Sequence, residues 1–264
     1  MNKRKLKFYI KIWSIMARNS FLSWLNKRST LLIFITGKLI RYAFSFGFLY
    51  FLVKNTNGFG VFNANQALFF AITFLFIDTL GQLFFRNVYT FRQLVVSGDL
   101  DMVLVKPVNP LFRVLLGGPD VMDLITLPPI LFVVIYIGSL LEPSILHTIF
   151  YILLVLNSLI ISASIHIFVL AIGIITLEID HTIMIFRDIS SMGRIPIDLY
   201  KEPLKSLLIF GIPVGVMMTI PAKAMMGIIS FWGVFFSIVF GISLFYLSLQ
   251  FWNFALKKYT SASS

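Results

Sequence analysis

Apolar residues in this chain come in long runs, separated by short polar segments. A helix needs about 20 residues to cross a bilayer core. Runs of sufficient length cover 30–53, 66–88, 121–141, 145–177, 204–222 and 227–256. Residues 1–28 follow a different pattern: Phe8, Ile12, Ile15, Met16 and Leu22 recur at near-helical spacing between Lys3, Arg4, Lys5, Lys7, Lys11, Arg18, Lys27 and Arg28. That spacing predicts a helix lying in the membrane surface, apolar side down. The pattern defines an all-α integral membrane protein: an N-terminal amphipathic interfacial helix over 1–28 and a six-span transmembrane domain over 29–264.

One polar insert, Ser97–Pro110, has an order of its own. Gly98 ends the preceding helix, which runs on from the second span as far as Val96. Asp99 can cap a new turn with its carboxylate. Leu100, Val103 and Leu104 then share one face. Lys106-Pro107 stops the turn, and Asn109-Pro110 starts the next helix as cap and first residue. Lying between two spans, this short helix is expected outside the core, as a plug that docks into another protein. Gly117-Gly118-Pro119 reads as an elbow before the third span, Pro128-Pro129 as a kink within it, and Glu142-Pro143 as a tight outer turn.

Charge sets the orientation. Of 22 Lys and Arg, only Lys54 and Lys223 fall in outer loops and Lys38 and Arg41 fall inside the first span; the other 18 flank the spans on one side. By the positive-inside rule that side is cytoplasmic, and both termini lie there. Residues 178–205, with Glu178, Asp180, Arg187, Asp188, Arg194 and Asp198, are placed inside as well. Prolines 196, 203, 213 and 221 allow a second arrangement, a re-entrant hairpin dipping from the outer face. It requires a span near 179–196 that carries Arg187, Asp188 and Arg194, which is costly in lipid.

Composition agrees with membrane. The chain is 58% hydrophobic and 12% charged, against about 25% charged in soluble domains. The net charge of +11 does not indicate nucleic acid, because the basic residues cluster beside hydrophobic spans. There is no cysteine, which removes disulfides and thiolate metal sites.

Polar groups inside the spans are the candidate functional residues. Lys38 and Arg41 lie in the first span, Asp78 and Gln82 in the second. Arg41 and Asp78 fall at similar depth and are expected to pair; the other reading has Lys38 and Arg41 snorkelling to the interface. Ser158, Ser162 and His166 line one side of the fourth span, as a polar path for a substrate or as helix-packing hydrogen bonds. Gly233, Ser237 and Gly241 recur every four residues in the last span, where small residues let helices approach closely. There is no G-x-x-x-x-G-K-[ST], H-E-x-x-H or G-x-S-x-G, and Asp99 and Asp101 point to different helix faces, so no catalytic set, cofactor site or metal site is nominated.

Laid out in this way, the chain resembles the membrane subunits of type-2 ABC exporters, and more narrowly a bacterial permease branch with a G-x-L-D-x-x-L-x-x-P-x-x-P segment after its second span. The matching residues are Gly98, Leu100, Asp101, Leu104, Pro107 and Pro110. A second stretch before the last span matches at Pro196, Leu199, Tyr200, Ile212, Pro213, Pro221 and Ala222. Lys106 stands where Arg is usual, with the charge kept. The resemblance implies two paired permease subunits, identical or different, in the cytoplasmic membrane. Each offers a coupling helix, here Asp99, Leu100, Asp101, Val103, Leu104 and Lys106, to a separate ATPase subunit that binds ATP and Mg. The chain itself would be non-catalytic. The competing classes are a secondary transporter coupled through Arg41, Asp78 and His166, and a membrane enzyme or scaffold.

Overall fold

The computed structural model describes residues 3–26, 28–56, 62–176 and 179–260. Lys27, residues 57–61 of the expected outer loop, Leu177 and Glu178 lie outside the described residues. Every regular element described is helical: α1 Lys3–Leu25, α2 Arg28–Thr56, α3 Ala64–Phe85, α4 Phe91–Val96, α5 Asp99–Leu104, α6 Pro110–Leu116, α7 Val121–Ser139, α8 Ile145–Thr176, α9 Ile179–Ser191, α10 Leu204–Gly211, α11 Gly215–Met225 and α12 Phe231–Lys257. Four are long and apolar enough to cross a membrane: α3 continued through α4 to Val96, α7, α8 and α12. The pair α10 and α11, bent by 81°, is a further candidate. α2 covers the first expected span.

The core lies where α3, α7, α8 and α12 meet. Phe69, Ile72 and Ile77 of α3 and Leu154, Ile161, Ile167 and Leu170 of α8 are fully buried. Large apolar side chains on the far faces, such as Phe132 and Ile135 of α7 and Phe236 and Leu247 of α12, are exposed. In lipid those faces need no polar cover, and an apolar exterior is what a bilayer solvates. α12 packs along α8 through small residues. Asn157 Nδ2 donates to the Ser237 carbonyl at 2.9 Å, and a Cβ on Gly241 would stand 2.1 Å from Asn157 Oδ1. Ser237 and Gly241 therefore serve this contact within the chain. Gly233 serves the start of α12, its N–H donating to the Ser230 hydroxyl.

Local caps and joints set the helix ends, two of them expected, the Asn109-Pro110 start and the 117–119 elbow. Asn63 and Gln66 form a reciprocal cap on α3. Asn109 Oδ1 accepts from Phe112 N at the start of α6, with Pro110 as first residue. The 117–119 elbow joins α6 to α7, braced by Asn87 Nδ2 donating to the Val114 carbonyl at 2.7 Å. Asp120 caps α7 by accepting from Met122 N. α7 runs without interruption through Pro128-Pro129.

The expectation for 178–205 needs correction. Asp180 pairs with Arg92 at 3.4 Å, at the same end as α4 and α5. Further along, Phe186 packs on His166 and Arg187 lies over Tyr89, while Arg194 lies over Phe74. Asp198 then pairs with Lys223, near Gly227, whose Cα abuts the ring of His147 at the other end of the bundle. Residues 180–198 therefore pass from one end to the other, antiparallel to α3, and are not a loop at one end. α10 and α11 are correspondingly not a fifth span. Lys205, at the start of α10, and Lys223, in α11, both pair with Asp198, so the bent pair enters and leaves at one end. Its bend lies against Gly193, and Met217 beyond it meets Ser158. Ser158 is about 20 Å along α8 from Ile145, at 1.5 Å per residue. Wide π-helical turns, Leu207–Gly211 and Gly215–Thr219, flank the bend. The charges that made a span over 179–196 expensive in lipid, Arg187, Asp188 and Arg194, are exposed along an open cleft shared with α2 and α3.

Candidate functional site, a charged cavity between α2, α3, α7 and α9

A cavity of about 930 Å³ is walled by α2, α3, α8, α9, the start of α7 and the first turns of α11. Helical spacing gathers its charges. Lys38 and Arg41 are three apart on α2, Asp120 and Asp123 three apart around the start of α7, and Arg187 and Arg194 seven apart along the 179–194 segment. Such pairs share a face. Ile33, Phe34, Phe74, Leu75, Met217 and Met218 complete an apolar wall.

Arg41 and Asp78 both line this cavity, but among the described residues no ion pair within 4.0 Å joins them. The partner exchange has a plain cause. α7 brings Asp123, 2% exposed, against the Lys38 ammonium, and the two form the ion pair that binds α2 to α7. Arg86 pairs with Asp120 at 3.8 Å. The Arg41 guanidinium lies over Tyr42 instead. Asp78 is left without a contact ion pair, in the combined field of Arg187, Arg41, Arg194 and Lys38.

The Ser158–His166 stripe divides. The Ser158 hydroxyl lies 2.6 Å from the Met217 carbonyl and 2.8 Å from that of Leu154, so it ties α8 to the re-entrant pair as a packing bond. Ser162 and His166 do line the cavity. His166 is buried between Phe85 and Phe186, ring centroids 5.2 Å away on each side. Its Nδ1 lies 2.8 Å from the Ser162 carbonyl, which can only accept, so Nδ1 carries the hydrogen.

The insert helix α5 also turns out differently. Gly98, at φ 77°, ends α4 as expected, but it is itself the cap residue of α5 and supplies no side chain. The Asp99 carboxylate accepts from the Ser97 hydroxyl at 2.7 Å instead. Leu100 and Val103 are buried in this chain's own core and Leu104 is half-buried against it. The outward apolar face is Val96, Met102 and Val105, up to 85% exposed, beside Lys106. α1 lies close by: Asn109 N donates to the Tyr9 hydroxyl, Tyr9 packs edge-on against Phe112, and Ser20 donates to the Pro119 carbonyl.

Sequence reasoning missed Asp123 and Asp120 and gave Arg187 and Arg194 to a loop. Asp123 sits two residues inside the third apolar run, and an ionisable residue there is a functional signal by itself.

The architecture is that of an all-helical, multi-pass membrane protein with a charged cleft among its helices. The family of ABC-2 family transporter proteins matches residues 39–263. The chain belongs to that family and is the permease component of an ABC transporter, a class that works with an ATPase partner at a membrane. No curated protein matches the chain. Family membership removes the basis of the secondary-transporter reading, although Arg41, Asp78 and His166 do share one cavity.

Proposed function

We propose that this chain is the membrane half of an ATP-driven exporter of the narrower bacterial branch, paired with a second permease subunit in the cytoplasmic membrane. It crosses six times, through α2, α3–α4, α7, α8, the 179–199 segment and α12, with both termini cytoplasmic and α1 in the membrane surface. It is non-catalytic. ATP and Mg bind a separate ATPase subunit, and α5 carries that subunit's movement into the bundle.

One observation supports this reading most directly. α5 and its C-cap present Met102 and Val105 outward while Leu100 and Val103 anchor the helix in the core. An exposed apolar patch of this kind marks a partner surface, and the anchors make its displacement a displacement of the bundle. The test is co-purification of the full chain with a coexpressed ABC ATPase. Met102→Asp with Val105→Asp is expected to abolish the complex while the chain stays monodisperse. A complex that survives both changes with full ATP hydrolysis overturns the assignment.

A further inference from the structure

The cavity's charges are unequally matched, and the mismatch has a sign. Its wall carries Lys38, Arg41, Arg86, Arg187 and Arg194 against Asp78, Asp120, Asp123 and Asp188. Lys38 is matched by Asp123 and Arg86 by Asp120. Among the described residues no carboxylate comes within 4.0 Å of Arg41, Arg187 or Arg194; each guanidinium lies near an aromatic ring instead. Asp78 faces four cations and contacts none of them. By the same criterion Asp78 and Asp188 contact no cation among the described residues, so three unpaired guanidinia stand against two unpaired carboxylates. An anion would meet three guanidinia, whose planar forks suit carboxylate, sulfate and phosphate. Beside them stand Phe34, Phe74, Met217 and Met218, and methionine walls adapt to varied apolar shapes. The volume lies at the upper end of the usual range for ligand pockets.

We infer that this cavity takes an amphiphile with an anionic head, held among Arg41, Arg187 and Arg194, with its apolar part against the Phe and Met wall. This rests on the permease reading above, and it makes such amphiphiles the class of molecule carried. Asp78 and Asp188 are then the acidic groups that the head meets in the site, neither of them held by a guanidinium among the described residues.

The experiment uses the full chain in nanodiscs of zwitterionic lipid, with empty nanodiscs subtracted. The probes are radiolabelled dodecyl phosphate, dodecanol, dodecyltrimethylammonium and inorganic phosphate. Dodecyl phosphate is expected to bind saturably, at least about tenfold tighter than dodecanol, with no saturable binding of the ammonium and little competition from inorganic phosphate. Arg187→Gln and Arg194→Gln should each weaken dodecyl phosphate about tenfold and leave dodecanol unmoved, while Arg187→Lys keeps most of the affinity. Asp78→Asn should tighten it. Tighter binding of the ammonium, equal competition by inorganic phosphate, or weaker binding in Asp78→Asn overturns the proposal. The assay needs no ATPase, so the two readings fail separately. A chain that couples to an ATPase but shows no anion preference sinks the site alone. Saturable anion binding by a chain that never couples leaves the site and sinks the permease role.

Discussion

The Asp198 carboxylate is ion-paired with Lys223, and Lys205 stands 3.9 Å away on its other oxygen. One side chain thus holds both feet of the α10–α11 hairpin, and it fixes which end of the bundle the chain has reached by residue 198. Because the chain has no cysteine, single-cysteine variants can read this directly. Cysteines at Leu199 and Ile228 should react with an impermeant maleimide from the outside of cells, and cysteines at Gln93 and His181 only after permeabilisation. Labelling of Leu199→Cys and His181→Cys from the same side would return 178–205 to a single face.

The clamp should also show in stability. Asp198→Asn is expected to lower the thermal stability of the purified chain by about 1 kcal/mol, as for a partly solvated pair. The exchange Asp198→Lys with Lys223→Asp should fail to restore it, because Lys205 would then face a second lysine. Full recovery in the exchange variant would mean that Lys205 takes no part.

Lys38 and Asp123 form the more deeply placed pair. Removing one partner strands a charge, which in buried pairs costs about 3–5 kcal/mol, whereas replacing both by apolar groups is often neutral. Asp123→Leu and Lys38→Met are each expected to reduce the yield of folded chain in detergent, and the double variant to recover most of it. Single variants as stable as the parent would show that α2 does not depend on the pair.

Two faces of α5 should separate in mutagenesis. Leu100 is fully buried, so Leu100→Ala should lower stability by about 2–5 kcal/mol. At a temperature where it remains folded, it should still bind the ATPase. Met102→Ala, on the exposed face, should do the reverse, losing affinity for the ATPase with an unchanged melting point. Identical profiles for the two would contradict the orientation of the helix.

Gly241 leaves the room that Asn157 occupies. Gly241→Val should push the amide off the Ser237 carbonyl and separate α12 from α8, at about 1–3 kcal/mol. Adding Asn157→Ala should relieve the clash and recover part of the loss, measured as thermal unfolding of the purified chain. A double variant less stable than Gly241→Val alone would mean that the two residues do not meet.

Much of the architecture was legible because membrane insertion is a one-dimensional constraint. Length and polarity of a run decide whether it can cross, and α3, α7, α8 and α12 follow the expected spans closely. Caps and breaks at Asn109, Gly98 and the 117–119 elbow were legible too, since each depends on a few adjacent residues. The error over 178–205 came from the same logic. Arg187, Asp188 and Arg194 weigh heavily against crossing in a one-dimensional account, which cannot include a cleft that gathers them with charges from other helices.

The site was legible in kind and not in pairing. Sequence alone determined that Lys38, Arg41 and Asp78 lie at membrane depth, that a short helix is braced between Gly98 and Pro107, and that no phosphate loop is present. Only the tertiary structure decided that Lys38 belongs to Asp123, that Asp78 stands among four cations without touching one, and that Leu100 faces inward while Met102 faces out. Depth is set along each helix by its own residues, but partnership depends on how helices rotate and pack against one another. That is settled by contacts between residues far apart in the chain, which no local pattern records.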